Sequence, residues 1–141
     1  MIVLDTSGLL AAIDSSQQQH EAAAGVLRAS AGPLLMSPFV LAELDYLIAT
    51  RVGIPAARAL LEQVSTSVFR LECLDAQDIE AAAQVIDRFS DQALGIADAS
   101  IVVLADRYDT RDVLTLDERH FRVLRDRKGR PFRVLPADVR G

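Results

Sequence analysis

The stretch Met1-Ile-Val-Leu-Asp-Thr-Ser7 sets the fold class. Its apolar first four residues give way to three polar ones, which predicts a buried strand that ends in a turn. Further short apolar or alternating runs lie at 34–36, 68–74, 113–116 and 132–135, and longer segments separate them. Strands that alternate with helices predict an α/β fold with a mostly parallel sheet covered by helices on both faces.

The segments between the strands carry helix start and stop signals. The predicted helices span residues 8–13, 21–31, 38–51, 55–66, 76–89 and 96–107. Ser37 followed by Pro38 is typical of a helix start, Asp75 is a capping residue, and Ser16 with Gln19 fits a capping box. The last of these segments is apolar nearly all round, which predicts a central helix.

Composition excludes several classes of protein. The chain has 141 residues, half of them hydrophobic, which predicts a single domain over residues 1–141 with one core. Cys73 is the only cysteine, so an internal disulfide is excluded, and no Cys/His group has zinc-site spacing. With no tryptophan and 5% aromatic residues, the chain has no aromatic platform for stacking nucleic-acid bases.

The apolar runs are short. None exceeds five residues, the length of the run from Ile101 to Ala105, and the N-terminal run meets Asp5 after four residues. Neither suffices for a membrane span or a secretory signal. We therefore expect a cytoplasmic protein without membrane contact.

Charge is distributed unevenly along the chain. Residues 1–118 contain 18 acids and 7 arginines, a net charge of −11, whereas residues 119–141 contain 8 basic residues and 2 acids, a net charge of +6. Such a chain is either self-complementary or binds a cation at one place and a polyanion at another.

Four acids stand at unusual positions. Asp5 and Asp117 each follow an apolar strand, and the carboxyl ends of parallel strands share one edge of a sheet. Glu43 and Asp98 lie inside otherwise apolar helices. If the four converge, each pair of charges about 4 Å apart costs about 4 kcal/mol at an effective dielectric of about 20. A hard divalent cation, Mg²⁺ or Mn²⁺, removes that conflict.

Each acid taken alone also has a purely structural interpretation. Asp5 and Asp117 are suited to capping short helices that follow them, and Asp98 stands in a first helical turn, where the helix dipole favours negative charge. Glu43 is able to pair with a neighbouring helix. The joint pattern, rather than any one residue, favours a metal site.

Four motifs in order resemble a known family. They are Met1-Ile-Val-Leu-Asp-Thr-Ser7, Ser37-Pro-Phe-Val-Leu-Ala-Glu43, Leu94-Gly-Ile-Ala-Asp-Ala-Ser100 and Leu114-Thr-Leu-Asp-Glu-Arg-His-Phe121. Together they resemble a PIN-domain ribonuclease, specifically a VapC-type toxin of a toxin–antitoxin pair. The resemblance implies a three-layer α/β/α sandwich with about five strands. It also implies a metal pocket formed by Asp5, Glu43, Asp98 and Asp117 and shaped by Thr6, Ser7 and Thr115, with Asp91 as a further acid.

The resemblance also implies an activity and partners. The activity is Mg²⁺- or Mn²⁺-dependent hydrolysis of RNA, and the partners are a cognate VapB-type antitoxin and a second copy of the chain in a homodimer. An antitoxin segment would lie across the apolar residues of 39–48 and 56–61, unless these are plain core.

The basic segment supplies a second functional hypothesis. It places positive charge directly after Asp117, where it would attract RNA phosphates or merely offset the acidic body. The residues predicted to contact RNA are Arg119, Arg122, Arg125, Arg127 and Lys128.

Three other functions compete with the toxin hypothesis. They are a PIN-type module that binds RNA or a partner without cleaving, a housekeeping PIN nuclease without an antitoxin, and a metal-dependent phosphatase for small phosphoesters. The phosphatase is disfavoured because Asp5 is followed by Thr6 and Ser7 rather than by an Asp-x-Asp pair. The complete set of four acids disfavours the module that only binds.

Overall fold

A five-stranded parallel sheet forms the centre of the protein. The computed structural model describes residues 1–139. The strands are β1 (Ile2–Leu4), β2 (Leu34–Met36), β3 (Arg70–Leu71), β4 (Asp112–Leu114) and β5 (Arg133–Leu135). They are arranged in the order β3-β2-β1-β4-β5, and every neighbouring pair is parallel.

Seven helices connect and flank these strands. They are α1 (Thr6–Ile13), α2 (His20–Ala29), α3 (Pro38–Arg51), α4 (Ile54–Ser65), α5 (Ala76–Arg88), α6 (Ile96–Tyr108) and α7 (Glu118–Phe121), and a 3₁₀ turn spans Ser90–Gln92. The predicted α/β/α sandwich is confirmed. Within residues 1–139, no helix combines the length and the apolar character that crossing a membrane requires.

The strand order reverses at β1. The chain runs from β1 outward to β2 and β3, then returns past β1 to form β4 and β5 on the other side. The connections after β1 and after β4 therefore diverge, and this leaves a crevice at the carboxyl ends of these two strands. A parallel sheet of this kind binds its ligands in that crevice.

The core covers both faces of the sheet. The side chains of β1 are almost fully buried, and the segment 99–105 of α6 is buried throughout, as expected of a central helix. Gly8 of α1 packs so closely on β4 that a Cβ atom there would overlap the Leu114 carbonyl group. This close approach fixes the start of α1 against the end of β4.

Two of the predicted helix starts are confirmed and one is wrong. The Ser37 hydroxyl accepts from Phe39 N at 3.2 Å, and Asp75 forms a reciprocal capping box with Asp78. The capping box predicted at Ser16 is absent, because its hydroxyl and backbone N–H instead donate to Asp14 Oδ1 at 2.7 and 3.0 Å. Helix α2 consequently starts at His20 without a side-chain cap.

Some element bounds also differ from the prediction. The strand expected at 68–74 is reduced to Arg70–Leu71, after Ser67 with a φ of +64°. The helix predicted from residue 8 begins at Thr6, and the strand predicted to extend to residue 116 ends at Leu114. A strand ends where its neighbour in the sheet no longer pairs with it, and the apolar pattern of a single segment does not show that point.

Candidate active site: an acidic cleft at the strand ends

The ends of β1 and β4 are joined where the sheet order reverses. Asp5 N donates to the Leu114 carbonyl at 3.0 Å, and Thr115 N donates to the Leu135 carbonyl at 2.9 Å. Asp5 and Thr115 therefore lie side by side although 110 positions separate them. Asp117 follows Thr115 by two positions, and its N–H donates to Thr115 Oγ1, so it reaches the same sheet edge as Asp5, as predicted.

Asp5 is a buried carboxylate held by two hydroxyl groups. Only 6% of the residue is exposed, and its Oδ2 accepts from Thr115 Oγ1 at 2.6 Å and from Ser7 Oγ at 3.1 Å. Burial raises the pKa of Asp5 to about 6, and the neighbouring charge of Asp98 adds to the effect, while the two hydroxyls oppose it. The proton is bound more tightly because the protein has removed water from the carboxylate.

Asp98 and Asp117 both approach the same nitrogen of the His120 ring. The His120 Nδ1 atom lies 2.9 Å from Asp117 Oδ2 and 3.8 Å from Asp98 Oδ2. Burial raises the pKa of Asp98; the His120 ring opposes that shift, and the Asp117 and Glu43 charges add to it. Asp117 also caps α7 through Oδ1, which accepts from His120 N at 3.1 Å. The capping role expected of Asp117 and a site role are thus compatible.

Glu43 reaches the same place from α3. Glu43, Leu47 and Arg51 are spaced by four residues, so they share one face of this helix. All three line a cleft of about 270 Å³ together with Asp5, Asp98 and Asp117. The structure thus brings the four acids of the sequence hypothesis into one cleft.

The donor set fits a divalent cation. The cleft offers carboxylate oxygens from four residues, and hard ions such as Mg²⁺ and Mn²⁺ favour oxygen ligands. Two buried polar atoms beside these acids, Thr6 Oγ1 and His120 Nδ1, have no hydrogen-bond partner. Buried polar groups are normally satisfied, so these two atoms are available to contact a bound group.

Comparison with known proteins agrees with this geometry. A family model described as the PIN domain matches residues 2–126. The chain belongs to the PIN-domain family. Over 135 residues this PIN domain is 47% identical to Ribonuclease VapC26 of Mycobacterium tuberculosis, an alignment that covers 96% of this chain and all of the relative. The resemblance to VapC ribonucleases is thereby confirmed.

Solved structures share the fold of this PIN domain. The crystal structure of Mycobacterium tuberculosis VapC20, a sarcin-ricin loop cleaving toxin, matches with a TM-score of 0.77 and 23% identity, over 83% of this chain and 90% of that chain. FitAcB from Neisseria gonorrhoeae matches with a TM-score of 0.56 and 21% identity, over 85% and 99% of the two chains. At these identities the likeness concerns the fold alone.

The supporting residues of the PIN domain fall into two groups. Ser7 and Thr115 build the wall of the cleft, since Ser7 Oγ accepts from Leu116 N at 2.9 Å and Thr115 Oγ1 accepts from Asp117 N at 2.9 Å. Asp91 differs. It lies exposed in the 3₁₀ turn and does not line the cleft.

Much of the basic segment is engaged within the PIN domain itself. Arg122 binds both carboxylate oxygens of Asp138 at 2.7 Å, and Lys128 binds Asp109 at 3.1 Å. The Arg125 guanidinium donates to three backbone carbonyls of residues 122–124. In the part of the chain that the structure describes, the Arg119 and Arg127 side chains are exposed and form no ion pair.

The apolar segments proposed as an antitoxin groove are partly core. Leu44, Ile48 and Leu60 are fully buried, so at these positions the alternative of plain core holds. Tyr46 is 68% exposed and Leu61 38% exposed, so both are accessible to a partner.

Two residues at the cleft were missed by the sequence reasoning. Arg51 follows Glu43 by eight positions, a helical spacing that was available as a signal. His120 follows Asp117 by three positions, which places both on one face of a short helix. Neither spacing reveals by itself that Arg51 lines the cleft or that the His120 ring lies beside Asp98.

Proposed function

We propose that this PIN domain is a divalent-metal-dependent endoribonuclease, the toxin of a toxin–antitoxin pair, which hydrolyses phosphodiester bonds in RNA. One observation carries the proposal: Asp5, Glu43, Asp98 and Asp117 come from four separate elements and line one cleft where the sheet order reverses. The 47% identity to a ribonuclease supports the reaction class.

The charge of the cleft supports metal dependence. The raised pKa values of Asp5 and Asp98 follow from burial together with mutual repulsion of the acids. A Mg²⁺ or Mn²⁺ ion would be held chiefly by Asp5 and Asp98, with Glu43 and Asp117 as ligands directly or through water. Such an ion, when bound, activates water and neutralises charge that develops on the phosphate.

The side chains of the chain divide the remaining work. Ser7 and Thr115 orient the Asp5 carboxylate through their hydroxyls. Glu43 is exposed and forms no hydrogen bond through its side chain within residues 1–139, so its carboxylate oxygens are free to accept a proton from the attacking water. Asp117 is less available, because its Oδ1 caps α7.

Substrate binding requires positive charge near an acidic cleft. Arg51 is the one basic side chain that lines the cleft in the described part of the chain, and it belongs to the face of α3 that carries Glu43. We assign it to a phosphate next to the scissile one, with the exposed Arg119 and Arg127 as more distant contacts. Of the five basic residues predicted to contact RNA, Arg122 and Lys128 are held by ion pairs and Arg125 by backbone carbonyls, whereas the side chains of Arg119 and Arg127 form neither contact within residues 1–139.

Partners follow from the toxin assignment. We infer a cognate VapB-type antitoxin that covers the exposed apolar residues of α3 and α4, including Tyr46 and Leu61, and a homodimer that acts on RNA in the cytoplasm. A Tyr46→Ser variant that binds the co-expressed antitoxin as tightly as wild type would remove that surface from the proposal. Light scattering measures the mass of the assembly.

The deciding experiment is cleavage of total cellular RNA by the purified chain with Mg²⁺ or Mn²⁺. Asp98→Asn tests the site, and Asp87→Asn, on the exposed side of α5, is the matched control. We expect discrete fragments with wild type and the control, and none with Asp98→Asn or EDTA. Cleavage that persists in Asp98→Asn would refute the site assignment. RNA binding without cleavage by the metal-loaded wild type would favour the module that only binds.

A further inference from the structure

His120 completes a compact group of ligand atoms with Asp98 and Asp117. One atom of each side chain lies within 4.8 Å of the others. The imidazole Nδ1 is 2.9 Å from Asp117 Oδ2 and 3.8 Å from Asp98 Oδ2. Two ligand atoms that each lie about 2.1 Å from one ion, at a right angle, are about 3 Å apart. The distance between His120 Nδ1 and Asp117 Oδ2 matches this separation.

The Nδ1 atom has no other role in the structure. It is buried, and its short approach to Asp117 lacks the direction of a hydrogen bond. A buried ring nitrogen without a partner is costly, so its retention beside two carboxylates requires a compensating contact. Thr6 is one of the residues that line the cleft; it is 5% exposed, and its buried Oγ1 is equally unpartnered.

The fold places the ring before any ion binds. Asp117 Oδ1 caps α7 by accepting from His120 N, which leaves Oδ2 beside the imidazole. The following residue, Phe121, is fully buried and packs edge-to-face on Phe132 with ring centroids 6.2 Å apart. Helix α7 is therefore anchored in the core, and the ring is preorganised for a ligand.

We propose that His120 Nδ1 is a nitrogen ligand of the cation held by the acidic cleft, which makes the site a mixed carboxylate–imidazole centre that prefers Mn²⁺ to Mg²⁺. The inference rests on the proposed function, since it concerns the same cation. Both ions favour carboxylate oxygen, but Mn²⁺, as a transition-metal ion, accepts an imidazole nitrogen more readily than Mg²⁺, which takes oxygen ligands and keeps its waters. The competing arrangement is a protonated imidazole that forms an ion pair with Asp117.

Pulsed electron paramagnetic resonance on the Mn²⁺-loaded full chain tests the assignment directly. The chain has two histidines, and His20 is engaged elsewhere, with Nδ1 2.8 Å from the Ala11 carbonyl. We expect a nitrogen coupling of a bound imidazole that changes when wild type is labelled with ¹⁵N-histidine. The coupling should persist in the matched control His20→Gln and disappear in His120→Gln. Mn²⁺ affinity should fall at least about tenfold in His120→Gln, with a smaller loss for Mg²⁺.

The possible results separate this inference from the proposed function. Bound Mn²⁺ without a histidine nitrogen coupling in wild type would overturn the His120 assignment, in favour of the ion pair, and leave the metal-dependent nuclease standing. A coupling that survives in His120→Gln would overturn it equally. A spectrum of hydrated Mn²⁺ alone, with no ion bound, would overturn both. The labelled wild type needs no substitution, so the test does not depend on a variant that folds.

Discussion

Replacement of Asp5 by asparagine should stabilise the metal-free protein while it abolishes cleavage. The carboxylate is 6% exposed, and its pKa is raised from 3.8 to about 6. A pKa shift of about two units corresponds to about 3 kcal/mol at 1.36 kcal/mol per unit. Ionisation of Asp5 lowers the free energy of unfolding by this amount. The asparagine oxygen can still accept from Thr115 and Ser7, but its amide N–H gains no assured partner. We therefore expect a net gain of about 1–3 kcal/mol.

The gain should depend on pH in a defined direction. The unfolded chain releases the Asp5 proton near pH 3.8 and the folded chain near pH 6. Wild-type stability is therefore reduced progressively as pH rises from about 4 to 6, and the full reduction remains above that range. The difference between Asp5→Asn and wild type should be small at pH 4 and largest at pH 7.5.

Thermal and urea denaturation in EDTA measure this difference. The entropy of unfolding is about 2.1 cal/mol/K per residue, so in a chain of 141 residues a stabilisation of about 1–3 kcal/mol raises Tm by about 3–10 °C. Added Mn²⁺ should narrow or reverse the gap, because an ion at 100 times its Kd stabilises wild type by about 2.7 kcal/mol. Asp87→Asn, exposed on α5, is the control and should show no gap. The reasoning fails if Asp5→Asn is no more stable than wild type at pH 7.5, or if its gain is equal at pH 4.

Three further predictions concern residues that line the cleft or pack behind it. Thr115→Val removes the hydroxyl between the buried carboxylate and a backbone N–H, and should cost about 1–3 kcal/mol in urea denaturation; an unchanged midpoint would contradict the network. Gly8→Ala forces a Cβ into the β4 backbone and should destabilise the fold by about 3 kcal/mol. In the control Gly95→Ala the added Cβ meets open space and should be tolerated. Equal urea-denaturation midpoints for the two variants would be inconsistent with this packing. Arg51→Ala should raise KM for RNA about tenfold and make KM less dependent on salt concentration. The control Arg58→Ala, at an exposed position, should change neither property. An unchanged KM in the Arg51 variant would exclude a phosphate contact.

The sequence predicted the architecture because the signals for it are local. Apolar runs of strand length separated by helical segments define an α/β chain, and the capping residues Ser37 and Asp75 stand where the structure uses them. The error at Ser16 has a local cause too. Asp14 captures its hydroxyl and its N–H, so the capping box does not form.

For the basic segment, residues 119–141, the sequence predicts the charge but not the ion pairs. Its positive charge is visible in the sequence, but the sequence does not record which cations are already paired. The fold brings Asp138 to Arg122 and Asp109 to Lys128, so that these side chains are held by ion pairs within the molecule. Arg119, by contrast, is exposed and forms no ion pair within residues 1–139.

The sequence by itself determined that Asp5 and Asp117 follow strands and that Glu43 and Asp98 lie in apolar helices, because those relations involve neighbours along the chain. Only the tertiary structure decided that the sheet order reverses at β1 and so brings these acids into one cleft. It also decided the burial that shifts the pKa of Asp5 and the position of His120 Nδ1 beside two carboxylates. Hydrophobic periodicity records which side of an element is buried, but not the element against which that side packs.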